Sequence, residues 1–145
     1  MDRAIDLAQK VINKFTDLYF ENWISIMRAK LGLFNEEIMD KAIIEDLLNM
    51  MEKYKEDYTN TFVSLTYRKN MDRGMFLTAE FTNWHKNWQE RLSRQDKSID
   101  EAYELMKKSN PVVIPRNHKV EKALKSAENG DLTVMNELLS VLNNP

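Results

Sequence analysis

Apolar residues recur at intervals of three and four along most of the chain, which is the period of an amphipathic α-helix. The first such stripe runs from about Asp2 to Lys30 and includes the aromatic residues Phe15 and Trp23. Gly32 follows it, where a helix is commonly closed by a residue with positive φ. The pattern therefore predicts one long first helix.

Polar residues that favour helix starts mark the next two elements. Asn35 precedes Glu36 and Glu37, and a capping residue followed by carboxylates favours the positive end of a helix dipole. This predicts a second helix from Asn35 to about Lys55. Asp57 is the expected cap of a shorter third helix.

The middle of the chain contains a break around Asn70 to Gly74, followed by a heptad-like apolar row. We expect a helix there that carries Leu77, Phe81, Trp84, Trp88 and Leu92. The three aromatic residues of this row fit two interpretations. Helical spacing favours a place in the core, and the alternative is an interface with a partner, since aromatic residues are enriched at binding hot spots.

Capping and breaking signals also organise the last third. Ser98 and Glu101 form the S-x-x-E pattern of a capping box, which predicts a helix that ends near Lys108. Prolines at 111 and 115 then predict an extended connection, because the residue before a proline avoids helical geometry. Two short helices follow as a hairpin, divided at Asn129-Gly130, and the second begins at Asp131.

Together these elements predict an all-α fold of about six to seven helices, an irregular bundle that ends in a helical hairpin. No stretch alternates apolar and polar residues long enough to indicate a strand. The 145 residues, of which 43% are apolar and 30% charged, are enough to bury a core. We therefore interpret residues 1–145 as a single helical domain.

The charge and composition of the chain indicate which classes of partner it is expected to bind. The chain has 21 basic and 23 acidic residues and a formal charge of -2, which disfavours nucleic-acid binding. No segment has the roughly 20 consecutive apolar residues of a membrane span, so we expect no membrane partner. The absence of cysteine permits a reducing compartment, and the expected location is the cytoplasm.

The sequence offers no complete active site. Gly32, Gly74 and Gly130 are too far apart to form a phosphate-binding loop. The two histidines, His85 and His118, provide only one reversed His-x-x-Glu pair, so a metal site is not predicted. We accordingly assign no catalytic, cofactor-binding or metal-binding residues.

Five sequence blocks, in this order, resemble the C-terminal region of the selenoprotein O family, also called YdiU. They are Met27-Arg28-Ala29-Lys30-Leu31-Gly32-Leu33, Asp57-Tyr58-Thr59-Asn60-Thr61-Phe62, Trp84-x-x-x-Trp88-x-x-Arg91-Leu92, Asn110-Pro111-x-x-Ile114-Pro115-Arg116-Asn117-His118 and Asn129-Gly130-Asp131. The blocks span nearly the whole chain. Their order and spread, more than any one block, carry the resemblance.

The resemblance implies a larger parent enzyme with a protein-kinase-like fold. Such an enzyme transfers AMP from ATP, with Mg²⁺, to Ser, Thr or Tyr hydroxyls of other proteins. In that family the nucleotide-binding and metal-binding residues lie upstream of the region matched here, so none is carried over. The implied role of this chain is structural or accessory, with the kinase-like core and the protein substrates of the parent as partners. The family often continues into a cysteine or selenocysteine tail, whereas this chain stops at Asn144-Pro145.

Within such a parent, the proline-containing segment is the expected docking connector for the final hairpin. Its candidate residues are Asn110, Pro111, Pro115, Arg116, Asn117 and His118. Two prolines stiffen the backbone, so little conformational entropy is lost on docking. We expect Arg116 to be the anchor and Asn117 to cap the next helix. The alternative is a solvent-exposed turn, since Pro and Asn are ordinary loop residues.

A different class of function is a free-standing helical interaction module whose aromatic face binds a partner helix. Under the enzyme-appendage hypothesis, the isolated chain neither binds ATP nor transfers AMP. Under either hypothesis, it folds cooperatively without added metal, since long apolar stripes supply a core.

Overall fold

The computed structural model describes the backbone of residues 2–143 and the side chains of residue 9 and residues 11–143. The described residues form seven α-helices and no strand, which confirms the all-α prediction. The helices are α1 (Asp2–Lys30), α2 (Asp40–Tyr54), α3 (Tyr58–Tyr67), α4 (Ala79–Ser93), α5 (Ile99–Ser109), α6 (Asn117–Glu128) and α7 (Thr133–Leu142), with a 3-10 helix at Gly74–Leu77.

The helices group into two compact units. Unit 1 extends to Asn110 and contains α1 to α5, and unit 2 starts at Pro111 and contains α6 and α7. The interpretation of the whole chain as one domain stays a prediction.

Unit 1 is built around a continuous buried apolar core. All five of its helices contribute, and so do the loop after α1 and the 3-10 helix. The buried members are Met27, Leu31, Leu33, Ile43, Ile44, Leu47, Met50, Met51, Phe62, Leu65, Met75, Phe81, Trp84, Trp88, Leu92, Ala102 and Met106. Burying one large apolar side chain contributes about 1.5 to 3 kcal/mol, so this cluster stabilises unit 1.

The first helix ends where the sequence predicts. Gly32 adopts φ +74°, and the amide of Leu33 donates to the carbonyl oxygen of Arg28 over 2.9 Å. A Cβ atom on Gly32 would lie 2.9 Å from the carbonyl oxygen of Ala102 on α5. Both the positive φ and this close approach of α5 require glycine.

The predicted start of the second helix is wrong. The helix begins at Asp40, and Asn35, Glu36 and Glu37 lie in the preceding loop. The local capping signal is overridden because Arg91 of α4 donates to the backbone and side-chain oxygens of Asn35. Tertiary hydrogen bonds therefore hold the loop outside the helix.

The third and fifth helices begin at the predicted caps. Asp57 accepts from the amide of Asn60 over 2.8 Å, and Ser98 forms a complete capping box with Glu101. The cap of α4 is Thr78, which the sequence analysis missed. Leu77, expected on α4, lies in the 3-10 helix before this cap and is exposed.

Unit 2 is a helical hairpin, as predicted. Its first helix ends at Glu128 and is followed by the predicted break at Asn129 and Gly130, where Gly130 adopts φ +83°. Asn117 is the first residue of α6 and makes no capping hydrogen bond, so its predicted capping role is wrong. The last helix begins at Thr133, two residues after the predicted start at Asp131, and the side chain of Asp131 accepts from the amide of Thr133.

Candidate functional site

The aromatic row of α4 lies in the core. Trp88 is 0% exposed, and Phe81 and Trp84 are also buried. The indole nitrogen of Trp84 donates to the carbonyl oxygen of Ile43 over 2.8 Å, and that of Trp88 to Leu31 over 2.9 Å. Because the rings and their polar atoms are satisfied inside unit 1, the interface interpretation of these three residues is wrong.

A buried charge network lies at the C-terminal end of α4. The side chain of Arg91 is 0% exposed, and its Nε donates to Asp40 Oδ1 over 2.7 Å. The same guanidinium donates to the carbonyl oxygen of Asn35 over 2.8 Å and lies 3.3 Å from Glu37 Oε1. Helical spacing places Arg91 on the same face as Trp84 and Trp88. Its buried ion pair with Asp40 was not predicted from the sequence.

The network continues to the surface through two more arginines. Arg94 donates to Glu37 Oε2 over 2.8 Å, and this hydrogen bond holds the pKa of Glu37 below its usual range. Arg28 pairs with Glu36 and lies 3.9 Å from Asp40 Oδ2. Residues from α1, α2, α4 and the intervening loop are thereby connected.

The loop of residues 31–39 is fixed at several points and presents an apolar tip. Gln95 donates to the carbonyl oxygen of Gly32 and accepts from the amide of Phe34. In contrast, Ile38 is 98% exposed. The hydrogen bonds of Gln95 and the ion pairs of Glu37 therefore anchor this loop, whereas the side chain of Ile38 is left uncovered.

Asn110, a candidate docking residue, is buried inside unit 1. Its carboxamide donates to the carbonyl oxygen of Lys30 and to Thr66 Oγ1, and it accepts from Lys30 Nζ over 3.2 Å. Lys30 also lies 5.2 Å from the centre of the Phe62 ring, and burial lowers the pKa of its ammonium group. Asn110 thus fixes the end of unit 1 rather than offering a free docking group.

The other candidate docking residues of the connector lie mostly at the surface. Pro111 is half-buried, whereas Pro115, Arg116, Asn117 and His118 are exposed. None of the described ion pairs includes Arg116 or His118. Their docking role stays a prediction.

A row of exposed apolar side chains lies along α1. We define the α1 stripe as the exposed residues Val11, Ile12, Phe15, Leu18, Tyr19 and Ile26. At 100° per residue these positions fall within about one third of the helix circumference and extend for about 22 Å. Phe15 is 67% exposed and Tyr19 62%, and their rings stack with centres 6.3 Å apart. A patch of this kind marks an interaction surface.

Other classes of site find no support in the part of the chain that the structure describes. Its His, Asp and Glu residues form no group of three or more placed to hold a metal ion. None of its helices is both long enough and apolar enough to cross a membrane. The α1 stripe is therefore the candidate functional surface.

The chain is similar to known proteins over nearly its whole length. A family model described as "Protein adenylyltransferase SelO" matches residues 3–143. The chain is 53% identical over 144 residues to the "Protein nucleotidyltransferase YdiU" of Clostridium beijerinckii, which covers 99% of this chain and 29% of that protein. It is 51% identical over 146 residues to the protein of the same name from Bacillus cytotoxicus, with coverages of 100% and 30%.

A third relative of this name, from Brevibacillus brevis, is 52% identical over 144 residues, with coverages of 99% of this chain and 29% of the relative. The chain therefore spans about 30% of the length of the curated relatives that it matches. More than two thirds of each relative lies outside the matched region.

Proposed function

Because this chain belongs to the family described as protein adenylyltransferase SelO, we propose that it is a helical accessory region of such an enzyme, attached to the catalytic core through the α1 stripe. The single observation that carries this proposal is the row of exposed apolar residues on α1. Soluble monomers rarely leave a contiguous apolar surface larger than a few hundred Å² in water. A protein three times as long has the material to cover it.

The position of the stripe supports attachment rather than a role in folding unit 1. Within α1, Met27 is buried in the core, and the partly buried Trp23 and Ile24 pack against it. Leu31 and Leu33, just after the helix, are also buried there. The stripe lies mainly in the N-terminal two thirds of the helix, on side chains that the core of unit 1 leaves uncovered. Covering it would shield six large apolar side chains, an area comparable to one side of a standard interface of about 800 Å².

In the whole enzyme, we propose transfer of AMP from ATP to hydroxyl groups of protein substrates, with Mg²⁺ as cofactor and a kinase-like core as catalyst. The residues of this chain do not fit a binding site for ATP or for Mg²⁺. Its three glycines are widely separated, and its described carboxylates and histidines form no metal-binding cluster. We therefore assign ATP and Mg²⁺ to the remainder of the enzyme and derive no catalytic step from residues of this chain.

We also propose a cytoplasmic location, and no nucleic-acid or membrane partner. The absence of cysteine and the slightly acidic charge support these assignments. A free-standing interaction module is the second candidate. The aromatic face of α4 no longer supports it, because that face is buried, but the α1 stripe could bind a separate helix in the same way.

A chimera tests the proposal. The matching 144 residues of the Clostridium beijerinckii relative would be replaced by this chain, and AMP incorporation from labelled ATP and the melting temperature would be measured. We expect an active chimera. Phe15→Asp should lower both the melting temperature and the activity, because it places a charge in a covered apolar contact.

Asn13→Asp is the matched control, since it adds the same charge about 200° around the helix from Phe15. It should leave both measurements near those of the unmodified chimera. An unchanged melting temperature and activity in Phe15→Asp would contradict attachment through the stripe and favour the interaction module.

A further inference from the structure

One cavity of unit 1 combines an apolar wall with a single unmatched charge. It has a volume of about 400 Å³ and is lined by Leu65, Arg68, Met71, His85, Gln89 and Tyr103. This size is within the range of about 300 to 1,000 Å³ that small-ligand sites occupy. The cavity is lined by residues of α3, α4, α5 and the turn after α3.

Arg68 is held in place without being neutralised. It follows the last residue of α3 with φ +52°, and its guanidinium carbon lies 4.2 Å from the centre of the Tyr103 ring. Arg28, Arg91 and Arg94 all pair with carboxylates, but no described ion pair includes Arg68. The stacking on Tyr103 fixes the plane of the guanidinium while leaving its N–H groups available for a ligand.

The other polar groups of the cavity carry no opposing charge. His85 packs between the Phe81 and Trp88 rings, with ring centres 5.7 and 5.4 Å away. Burial, followed by the positive charge of Arg68, lowers the pKa of His85. Both effects favour the neutral imidazole, and Arg68 is the only Lys, Arg, Asp or Glu on the cavity lining.

We propose that this cavity binds the carboxylate of a ligand with an apolar body. Arg68 binds the carboxylate in the paired geometry that a guanidinium favours, and Leu65, Met71 and Tyr103 contact the apolar part. The carboxamide of Gln89 is available for one further hydrogen bond. Arg68 is exposed and supplies one positive charge, which matches the single charge of a carboxylate better than the two charges of a phosphate dianion.

Two sources can supply this chemistry: a small free acid, or the C-terminal residue of a polypeptide. NMR titration of the full 145-residue chain distinguishes them, with 4-methylpentanoate as the first probe and a hexapeptide ending in leucine as the second. We expect saturable shifts of the backbone signals of residues 65–71, 85–89 and 103. Tighter binding of the hexapeptide assigns the site to polypeptide C-termini, and equal or tighter binding of the free acid assigns it to small acids.

Substitutions of Arg68 test which protein group binds the ligand, and amide analogues of the two probes test which ligand group is bound. Arg68→Ala should weaken binding at least about tenfold, the effect of losing a charged hydrogen bond. Arg68→Lys, which keeps the charge but not the planar fork, should bind with intermediate affinity. Arg73→Ala is the control, because Arg73 is exposed and lines neither this cavity nor the neighbouring one that shares Arg68.

The proposal is overturned if neither carboxylate saturates the signals, or if 4-methylpentanamide and the amidated hexapeptide bind as tightly as the acids. Equal binding by a folded Arg68→Ala chain, checked by circular dichroism, also overturns it. Inorganic phosphate that saturates the same signals more tightly would overturn the assignment to a carboxylate. None of these results depends on the chimera, so this site and the proposed attachment can fail separately.

Discussion

Arg91 lies in the last turn of α4 and Arg94 directly follows the helix, and their surroundings give them different energetic roles. Both pair with Glu37, but Arg91 is 0% exposed and Arg94 is 49% exposed. Removing one partner of a buried ion pair leaves the other charge unpaired away from water. An exposed pair is screened by solvent and contributes little.

We therefore expect Arg91→Met to lower the free energy of unfolding by about 3 to 5 kcal/mol, because Asp40 is left buried without its partner. Urea denaturation followed by circular dichroism measures this loss. Arg94→Met is the matched control and should change stability only slightly. Similar losses in both variants would show that burial does not determine the contribution of these arginines.

The capping box of α5 is an element whose stability contribution depends on pH. The amide and hydroxyl of Ser98 and the ammonium of Lys97 donate to Glu101, and they hold the pKa of its carboxyl below the ordinary value of 4.5. The folded state therefore favours the carboxylate. Its contribution is complete above pH 4.5 and is lost as the pH falls through the folded-state pKa.

Glu101→Gln should accordingly destabilise the chain at pH 7, and the difference from wild type should shrink toward about pH 3. Ser98→Ala should cost about 1 kcal/mol at pH 7, since it removes the N-terminal cap. Urea denaturation at both pH values measures these differences. Glu21→Gln, on an exposed carboxylate outside the described ion pairs, should show neither effect, and a pH-independent loss in Glu101→Gln would refute the capping explanation.

At the scale of the whole molecule, the two units differ in how much they bury. The core cluster lies entirely in unit 1, whereas Ala123 is the one fully buried apolar residue that the structure describes in unit 2. The helices of unit 2 have 12 and 10 residues, and isolated helices shorter than about 12 to 15 residues are marginal in water. Unit 2 therefore has little stability of its own.

We predict that residues 1–110 fold cooperatively when produced alone, whereas a peptide of residues 111–145 is mostly unfolded. Circular dichroism with thermal melting measures both. A full-length chain melted under the same conditions is the reference, and its main transition should match that of residues 1–110. A strongly helical peptide with its own melting transition would contradict the prediction for unit 2.

The pattern of residue types was enough to predict which segments are helical and where most of them end. Apolar periodicity placed the stripes, and local chemistry placed the boundaries at Gly32, Asp57, Ser98 and Gly130, because a cap or a positive φ depends on residues a few positions apart. Family membership was also readable, since the matching blocks keep their order along the chain.

The burial and the long-range partners of the side chains could not be predicted in this way, because they depend on how the helices pack. Helical spacing puts Arg91, Trp84 and Phe15 alike on apolar faces, but the first two are buried with distant partners and Phe15 is exposed. Asn35 has the local signature of a cap, yet Arg91, 56 residues away, holds it outside the helix. Burial and long-range hydrogen bonds depend on how the helices pack, which local pattern does not specify, and for this reason the α1 stripe and the Arg68 cavity could be found only in the folded chain.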